Sequence, residues 1–282
     1  MEILVGFRDP NSVAINEFFE YTTKINYFAI LIKDSKTNVR EFFIRCLGDW
    51  LVSLPDRYDH EPRLAPYMVS GLFDKDDEIS ESAYEMIEEV GLQYEREKEK
   101  ELRSIKQFGY DAEWTQGGKI KDIKLPKPFA KRPRLGSRIF IRSHVRKFLP
   151  ALYKEVKDWQ FENRLEAINL LLYGLIYAED YVTQFLDKFF INILHNLNVR
   201  NKDDQAIADK TCQIFHYIGV YCHYKSYIPL LTSAIKGEII DNDDAPKLAL
   251  TALFHLLTGF FETVIKEDGL KDRKVSYFAN FP

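Results

Sequence analysis

A spaced set of residues recurs about every 40 positions along the chain, and no other feature restricts the fold as strongly. Anchored on Pro66, the set runs Met68, Leu72, Asp74, Glu78, Ile79 and Ala83. Anchored on Pro150, it runs Leu152, Val156, Asp158, Glu162 and Ala167 at matching offsets. One step before Pro66 the frame falls on Asn26, with Phe28, Ile32, Asp34 and Val39, and Arg40 after them. One step beyond Pro150 it falls on Phe189, with Ile191, Leu197 and Ala206. A further step reaches Pro229, with Leu231 and Ile235; the turn there is about three residues longer, and Ala249 takes the alanine position. The successive spacings are 40, 84, 39 and 40.

Each repeat reads as a helical hairpin. In Glu78 to Leu92, Ile79, Ala83, Met86, Ile87 and Val90 recur at spacings of three and four, with Glu81, Glu85, Glu88 and Glu89 between them. That is an amphipathic helix. Phe161 to Tyr177, Gln205 to Tyr221 and Pro246 to Ile265 behave alike, and no useful length alternates with period two. Turns are expected at Asp74 to Asp77, Asn198 to Asp204 and Gly237 to Asp244. The proline is placed early in the first helix, where packing compensates a bend. The aspartate is expected to close the turn and cap the second helix, and the alanine to let that helix approach its neighbour. A lone hairpin cannot bury its apolar face, so hairpins stack. The expected fold is all-α, an α-solenoid of HEAT/armadillo-type helical hairpins with a period of about 40 residues and one long inserted loop.

The doubled spacing marks the insertion. Tyr94 to Leu102 reads as a charged helical extension, and Gly109 to Arg134 loses periodicity and carries Gly117, Gly118, Pro126, Pro128 and Pro133. The expected organisation is hairpins with an acidic extended helix over 1–108, a basic Pro/Gly-containing loop over 109–134, and hairpins with a short C-terminal tail over 135–282. Charge segregates around that loop. Asp74 to Glu101 holds 12 acids and 4 bases; Lys119 to Lys147 holds 11 bases and one acid, Asp122. Two readings follow: a docking surface for an acidic partner, phosphate or nucleic acid, or a basic loop folded back on the acidic helix of its own repeat.

Composition narrows the classes. Apolar residues make up 46% and charged residues 29%, a globular balance, and a net charge of −4 excludes a uniformly basic nucleic-acid coat protein. Three cysteines make no disulfide framework, which suits a reducing, intracellular compartment. Leu248 to Phe261 is the longest charge-free apolar run, and its 14 residues are too short for a bilayer. Glu2, Arg8 and Asp9 interrupt the place of a signal peptide. The N-terminus opens part-way through a repeat and the C-terminus lacks a polar cap. The expectation is a fragment, a truncated product, or ends that bind something.

Candidates for chemistry are few. Cys212, His216, Cys222 and His223 imitate a metal cluster, but four ligands from one short helix cannot close a tetrahedron, so they read as core. Glu81, Glu85, Glu88 and Glu89 have no Glu-x-x-His partner and read as a solvated face. Gly117-Gly118-Lys119 lacks the spacing and the Ser/Thr of a phosphate loop. His60, His144, His195 and His255 read as isolated. Excision of alkylated bases from DNA is a weighed alternative, resting on Trp159 with Asp158 near Arg138, Arg142 and Arg146. Against it, Asp158 already holds a turn position. No metal, cofactor or catalytic residue is expected.

Several motifs are distinctive. They are Cys46-Leu-Gly-Asp-Trp-Leu51 with Asp56-Arg-Tyr58, Glu89-Val-Gly-Leu-Gln-Tyr94, Arg132-Pro-Arg-Leu-Gly136, Leu149-Pro-Ala-Leu152, and Ala178-Glu-Asp180 with Thr183-Gln184. In order and spacing the chain resembles the middle part of the dynein axonemal assembly factor 5 family, HEAT-repeat proteins of cilia and flagella. The resemblance is clear from about Thr37 to Asp187. It implies a cytoplasmic, non-enzymatic scaffold that helps preassemble outer and inner dynein arms. Implied partners are axonemal dynein chains, other dynein assembly factors and chaperones, with no small-molecule substrate, nucleic acid or membrane. The alternative is another HEAT adaptor, such as a transport-receptor or phosphatase scaffold. For a scaffold, two surfaces are expected to bind. One is the basic segment Lys127, Lys131, Arg132, Arg134, Arg138 and Arg142, since arginine suits bidentate carboxylate contacts. The other is the wall of second helices, including Arg40, Arg45 and Arg164. Trp50, Leu51, Leu149, Leu152 and Leu170 are expected core.

Overall fold

The computed structural model describes residues 26–105, 123–238 and 244–265, and the expectations for 1–25, 106–122, 239–243 and 266–282 lie outside the described residues. Every regular element among the described residues is helical. The chain divides into two units, 1–104 with 125–178, and 105–124 with 179–282.

The first unit stacks three hairpins. They are α1 (Tyr27–Ile32) with α2 (Thr37–Ser53), α3 (Arg57–Gly71) with α4 (Asp77–Glu97), and α6 (Leu135–Glu155) with α7 (Phe161–Ala178); a short α5 (Glu99–Arg103) follows α4. The repeated apolar positions form its core. Phe28, Met68 and Leu152 are buried, as are Ile32, Leu72 and Val156, and Ala83 and Ala167 have no exposed surface. Trp50, Leu51, Leu149, Leu152 and Leu170 are buried as expected.

Two local expectations are corrected. Pro66 and Pro150 stand in the C-terminal halves of α3 and α6, where a bend leaves the earlier turns intact. The repeated aspartates are not helix caps. Asp34, Asp74 and Asp158 each accept the amide two residues on, from Lys36, Asp76 and Gln160, at 2.8, 2.9 and 2.8 Å. These are Asx turns, which reverse the chain between the paired helices. Asp74 has a second task. Arg40, only 3% exposed on α2, donates to it from Nε and a terminal nitrogen at 2.7 and 2.9 Å, tying the first hairpin to the second.

The insertion does not interrupt the stack, because α4 packs directly on α6. The two backbones touch. A Cβ on Gly136 would lie 1.9 Å from the Gly91 carbonyl oxygen, and one on Gly91 would lie 2.4 Å from the Ser137 nitrogen. Ser137 Oγ donates to the Ile87 carbonyl at 3.0 Å across the crossing.

In the second unit a 3-10 segment (Glu179–Phe185), α8 (Leu186–Ile193) and a second 3-10 segment (Leu194–Leu197) precede α9 (Lys202–Tyr221). They are followed by α10 (Tyr224–Ile235), which holds Pro229, and α11 (Ala245–Ile265). The repeat frame holds less well here. Ile191 is exposed and Ala206 half-buried, because 3-10 and α turns in succession shift the phase that one continuous helix would keep. Leu231 and Ala249 keep their buried roles. α9 and α11 repeat the close crossing: a Cβ on Gly219 would lie 2.0 Å from the Leu256 carbonyl oxygen, and one on Gly259 1.9 Å from that of His216. Among the described residues no helix is long and apolar enough to cross a membrane.

Buried phenols and thiols set the alkaline limit of both units. Burial pushes Tyr173 up to about 12 and Cys222 up to about 12, and raises Tyr177 well above its ordinary value. These groups stay protonated in the folded chain while the unfolded chain ionises them, so stability falls as pH rises above the ordinary thiol and phenol values. Tyr173 alone removes roughly 2–3 kcal/mol by the time pH reaches its folded value. The expected result is cooperative unfolding between about pH 10 and 12, with tyrosinate absorbance rising together with loss of helical ellipticity. Tyrosine ionisation without loss of helix would count against it.

Candidate partner-binding surface

The described part of the expected basic loop runs irregularly over 123–134, and residues 109–122 lie outside the described residues. The cations of the expected basic segment, from Lys127 on into α6, divide into three groups. Lys127 and Arg134 turn back onto α4. Lys127 Nζ lies 3.0 Å from Asp77, with both side chains largely exposed. The Arg134 backbone amide donates to the Glu88 carboxylate at 3.2 Å, and its guanidinium lies 3.4 Å from Glu88 and 3.5 Å from Glu95. Glu95 also accepts from the Gly136 amide at 2.9 Å, which fixes the start of α6. Arg138 is buried and donates from Nε to the Pro133 carbonyl at 3.0 Å. Lys131 is exposed, and Arg132 and Arg142 are half-buried; Arg146 and Lys147 are exposed one turn beyond Arg142. The fold-back reading thus describes Lys127 and Arg134.

The second-helix arginines also separate. Arg40 is the internal tie to Asp74. Arg45 is exposed on α2 and pairs with Glu41 at 2.7 Å, and Arg164 is half-buried on α7. Trp159, 85% exposed beside the Asp158 turn, is the most exposed large apolar side chain among the described residues. Asp158, weighed for base excision, spends an oxygen on that turn.

Phe129 anchors the folded-back segment. Its ring lies 5.6 Å from Tyr84 of α4, and 5.7 and 5.4 Å from Tyr173 and Tyr177 of α7. The Tyr173 hydroxyl donates to the Lys127 carbonyl at 2.7 Å. Residues 125–134 therefore lie across the second helices α4 and α7.

A buried polar cluster escaped the sequence reading. Glu61 of α3, 1% exposed, accepts from the Tyr94 hydroxyl of α4 and lies 3.0 Å from His144 Nε2 of α6. Arg57 stands 3.9 Å from Glu61 and pairs with Glu97, which also accepts from Tyr58 at 2.6 Å. His144 is thus not isolated, since its carboxylate is 83 residues away in sequence. Nor is His60, 3.2 Å from Asp56 one turn earlier. One signal was available: Arg57 and Glu61 occupy the same apolar phase as Leu64 and Met68. The cluster ties three helices together; Glu61, Arg57 and His144 are buried, and Glu97 and Tyr58 form its solvent-facing side.

In the second unit Cys222 is core, and burial pushes its thiol up to about 12. Cys212 is half-buried, and burial, with the Asp209 charge, pushes its thiol up to about 11. His216 lies 3.0 Å from Glu262 and 3.2 Å from Thr258, and His223 caps α10 by accepting the Lys225 amide. No group of three His, Cys, Asp or Glu among the described residues could hold a metal ion.

Comparison with known proteins covers both units. Residues 124–268 match the family model described as dynein axonemal assembly factor 5, HEAT-repeat domain. Residues 21–105 match one described as dynein axonemal assembly factor 5-like, TPR repeats. The chain is 29% identical over 213 residues to a Homo sapiens protein named dynein axonemal assembly factor 5, covering 75% of this chain and 23% of that one. The Mus musculus and Xenopus laevis proteins of the same name are 27% and 26% identical over 216 and 212 residues. The chain spans about a quarter of the length of these relatives.

Proposed function

The chain belongs to the dynein axonemal assembly factor 5 family, and from that membership we propose that it is a non-enzymatic scaffold for preassembly of axonemal dynein arms in the cytoplasm of a ciliated or flagellated cell. The observation that carries this is the extent of the likeness, which takes in hairpins of both units. Its partners are axonemal dynein chains, other assembly factors and chaperones. The placement of the ionisable groups supports a role in binding over one in catalysis: Glu61, His144 and Arg57 are spent on holding helices together, away from solvent.

The outward cations are the docking surface for an acidic partner. Lys131, Arg146 and Lys147, which are exposed, carry that role; Arg132, Arg142 and Arg164 are half-buried at its edge, Arg45 faces Glu41, Arg40 and Arg138 are internal, and Lys127 and Arg134 face carboxylates of α4. The test is an affinity pull-down from ciliated-cell cytosol, comparing the chain with Lys131→Glu/Arg146→Glu/Lys147→Glu. Circular dichroism checks that both are folded. Dynein chains captured by the first and reduced at least tenfold with the second are expected. No dynein component with either would sink the scaffold reading, and equal capture would sink this surface alone.

A further inference from the structure

We propose that the cradle formed by Tyr84, Tyr173 and Tyr177 is a docking site for a basic partner segment bearing an aromatic ring, and that residues 125–134 occupy it in cis. The proposal rests on the scaffold reading only for the existence of a partner.

The cradle has the parts of a recognition site. Phe129 enters between three tyrosine rings, stacked on Tyr173 and edge-on to Tyr84 and Tyr177. Acidic residues flank it on α4. Asp77, Glu88 and Glu95 take Lys127 and Arg134, and Glu81, Glu85 and Glu89 stand exposed on the same helix. A ring between positive charges is what such a site selects.

The present occupant is an incomplete ligand. Tyr177 is 1% exposed, and its hydroxyl finds no hydrogen-bond partner among the described residues; the Tyr84 hydroxyl is buried in the same condition. Phe129 fills the volume but has no polar atom to offer them. A buried hydroxyl is ordinarily paired, so the cradle suits a ring that carries a polar atom. The segment itself is built to be exchanged. Pro126, Pro128 and Pro133 carry no amide proton to give the helices, and the contacts to Asp77, Glu88 and Glu95 are charge pairs that a basic partner segment can replace. It keeps out competitors because a tethered segment acts at millimolar effective concentration, on the order of 1 mM.

The test uses a fluorescein-labelled peptide of residues 125–134, with Phe129→Ala and Phe129→Tyr versions, titrated into the full chain and into its Phe129→Ala variant. Emptying the cradle should raise affinity for the peptide at least tenfold over the unaltered chain. The Ala peptide should bind at least tenfold more weakly, and the Tyr peptide several-fold more tightly. Equal binding of Phe and Ala peptides, or no binding to a variant whose circular dichroism is unchanged, overturns the proposal. Should Phe129→Ala unfold, Lys127→Asp loosens the segment from Asp77 without touching the cradle. It should raise affinity at least threefold, and no rise overturns the proposal. Peptide binding is read without dynein, so a failed pull-down and a failed titration are separate results.

Discussion

Gly136→Val is expected to destabilise the first unit by about 3 kcal/mol or more, at the upper end of what overpacking costs. At Gly136 the obstacle is the Gly91 carbonyl oxygen, 1.9 Å from where the first added atom would go. A flexible side chain could swing away; a helix backbone cannot. α4 and α6 would have to separate, losing the Ser137 bond to Ile87 and the Glu95 bond to the Gly136 amide. Gly174→Ala is the control. Its Cβ would sit 3.7 Å from Phe148, an ordinary contact, so the gain in helix propensity should leave it neutral or stabilised by up to about 1 kcal/mol. Urea denaturation followed by circular dichroism reads both. If Gly136→Val melts with the unaltered chain, the helices do not cross at that distance.

Glu61→Ala should cost about 3–5 kcal/mol, the range for removing one partner of a buried ion pair. The loss strands His144 and the Tyr94 hydroxyl and leaves Arg57 to Glu97 alone, in an interior where water does not replace the carboxylate. Glu61→Gln keeps an oxygen for Tyr94 and is expected to cost less, about 1–3 kcal/mol. Thermal unfolding of the two variants decides the matter. A Glu61→Ala chain as stable as Glu61→Gln would mean that the acceptor contributes nothing. Dynein capture by Glu61→Gln under folding conditions should be unchanged, since Glu61 itself is buried.

The hairpin period, the buried set Phe28, Met68, Leu152, Ala83 and Ala167, and the bounds of α7, α9 and α11 to within a few residues were legible because they depend on local spacing. A residue at the apolar phase of a helix must go inward whatever lies opposite. The distinctive Val90-Gly91 and Leu135-Gly136 motifs were legible as signals, but not in their purpose, since a close crossing needs both helices in place. The surface was harder to read. Arg40, Arg138 and Arg134 have the same side chain and the same sequence prominence as Arg142. One finds Asp74, one the Pro133 carbonyl and one Glu88 and Glu95, and only the packed chain distinguishes them.

The sequence by itself therefore determined the class of fold, the repeat and the family, because short-range periodicity and motif order survive without coordinates. The tertiary structure decided which charges are spent and where the inserted segment goes. Those outcomes turn on contacts such as Lys127 with Asp77, 50 residues apart, and Glu61 with His144, 83 apart. Coulomb energy and desolvation depend on distance and burial in space, and sequence separation fixes neither.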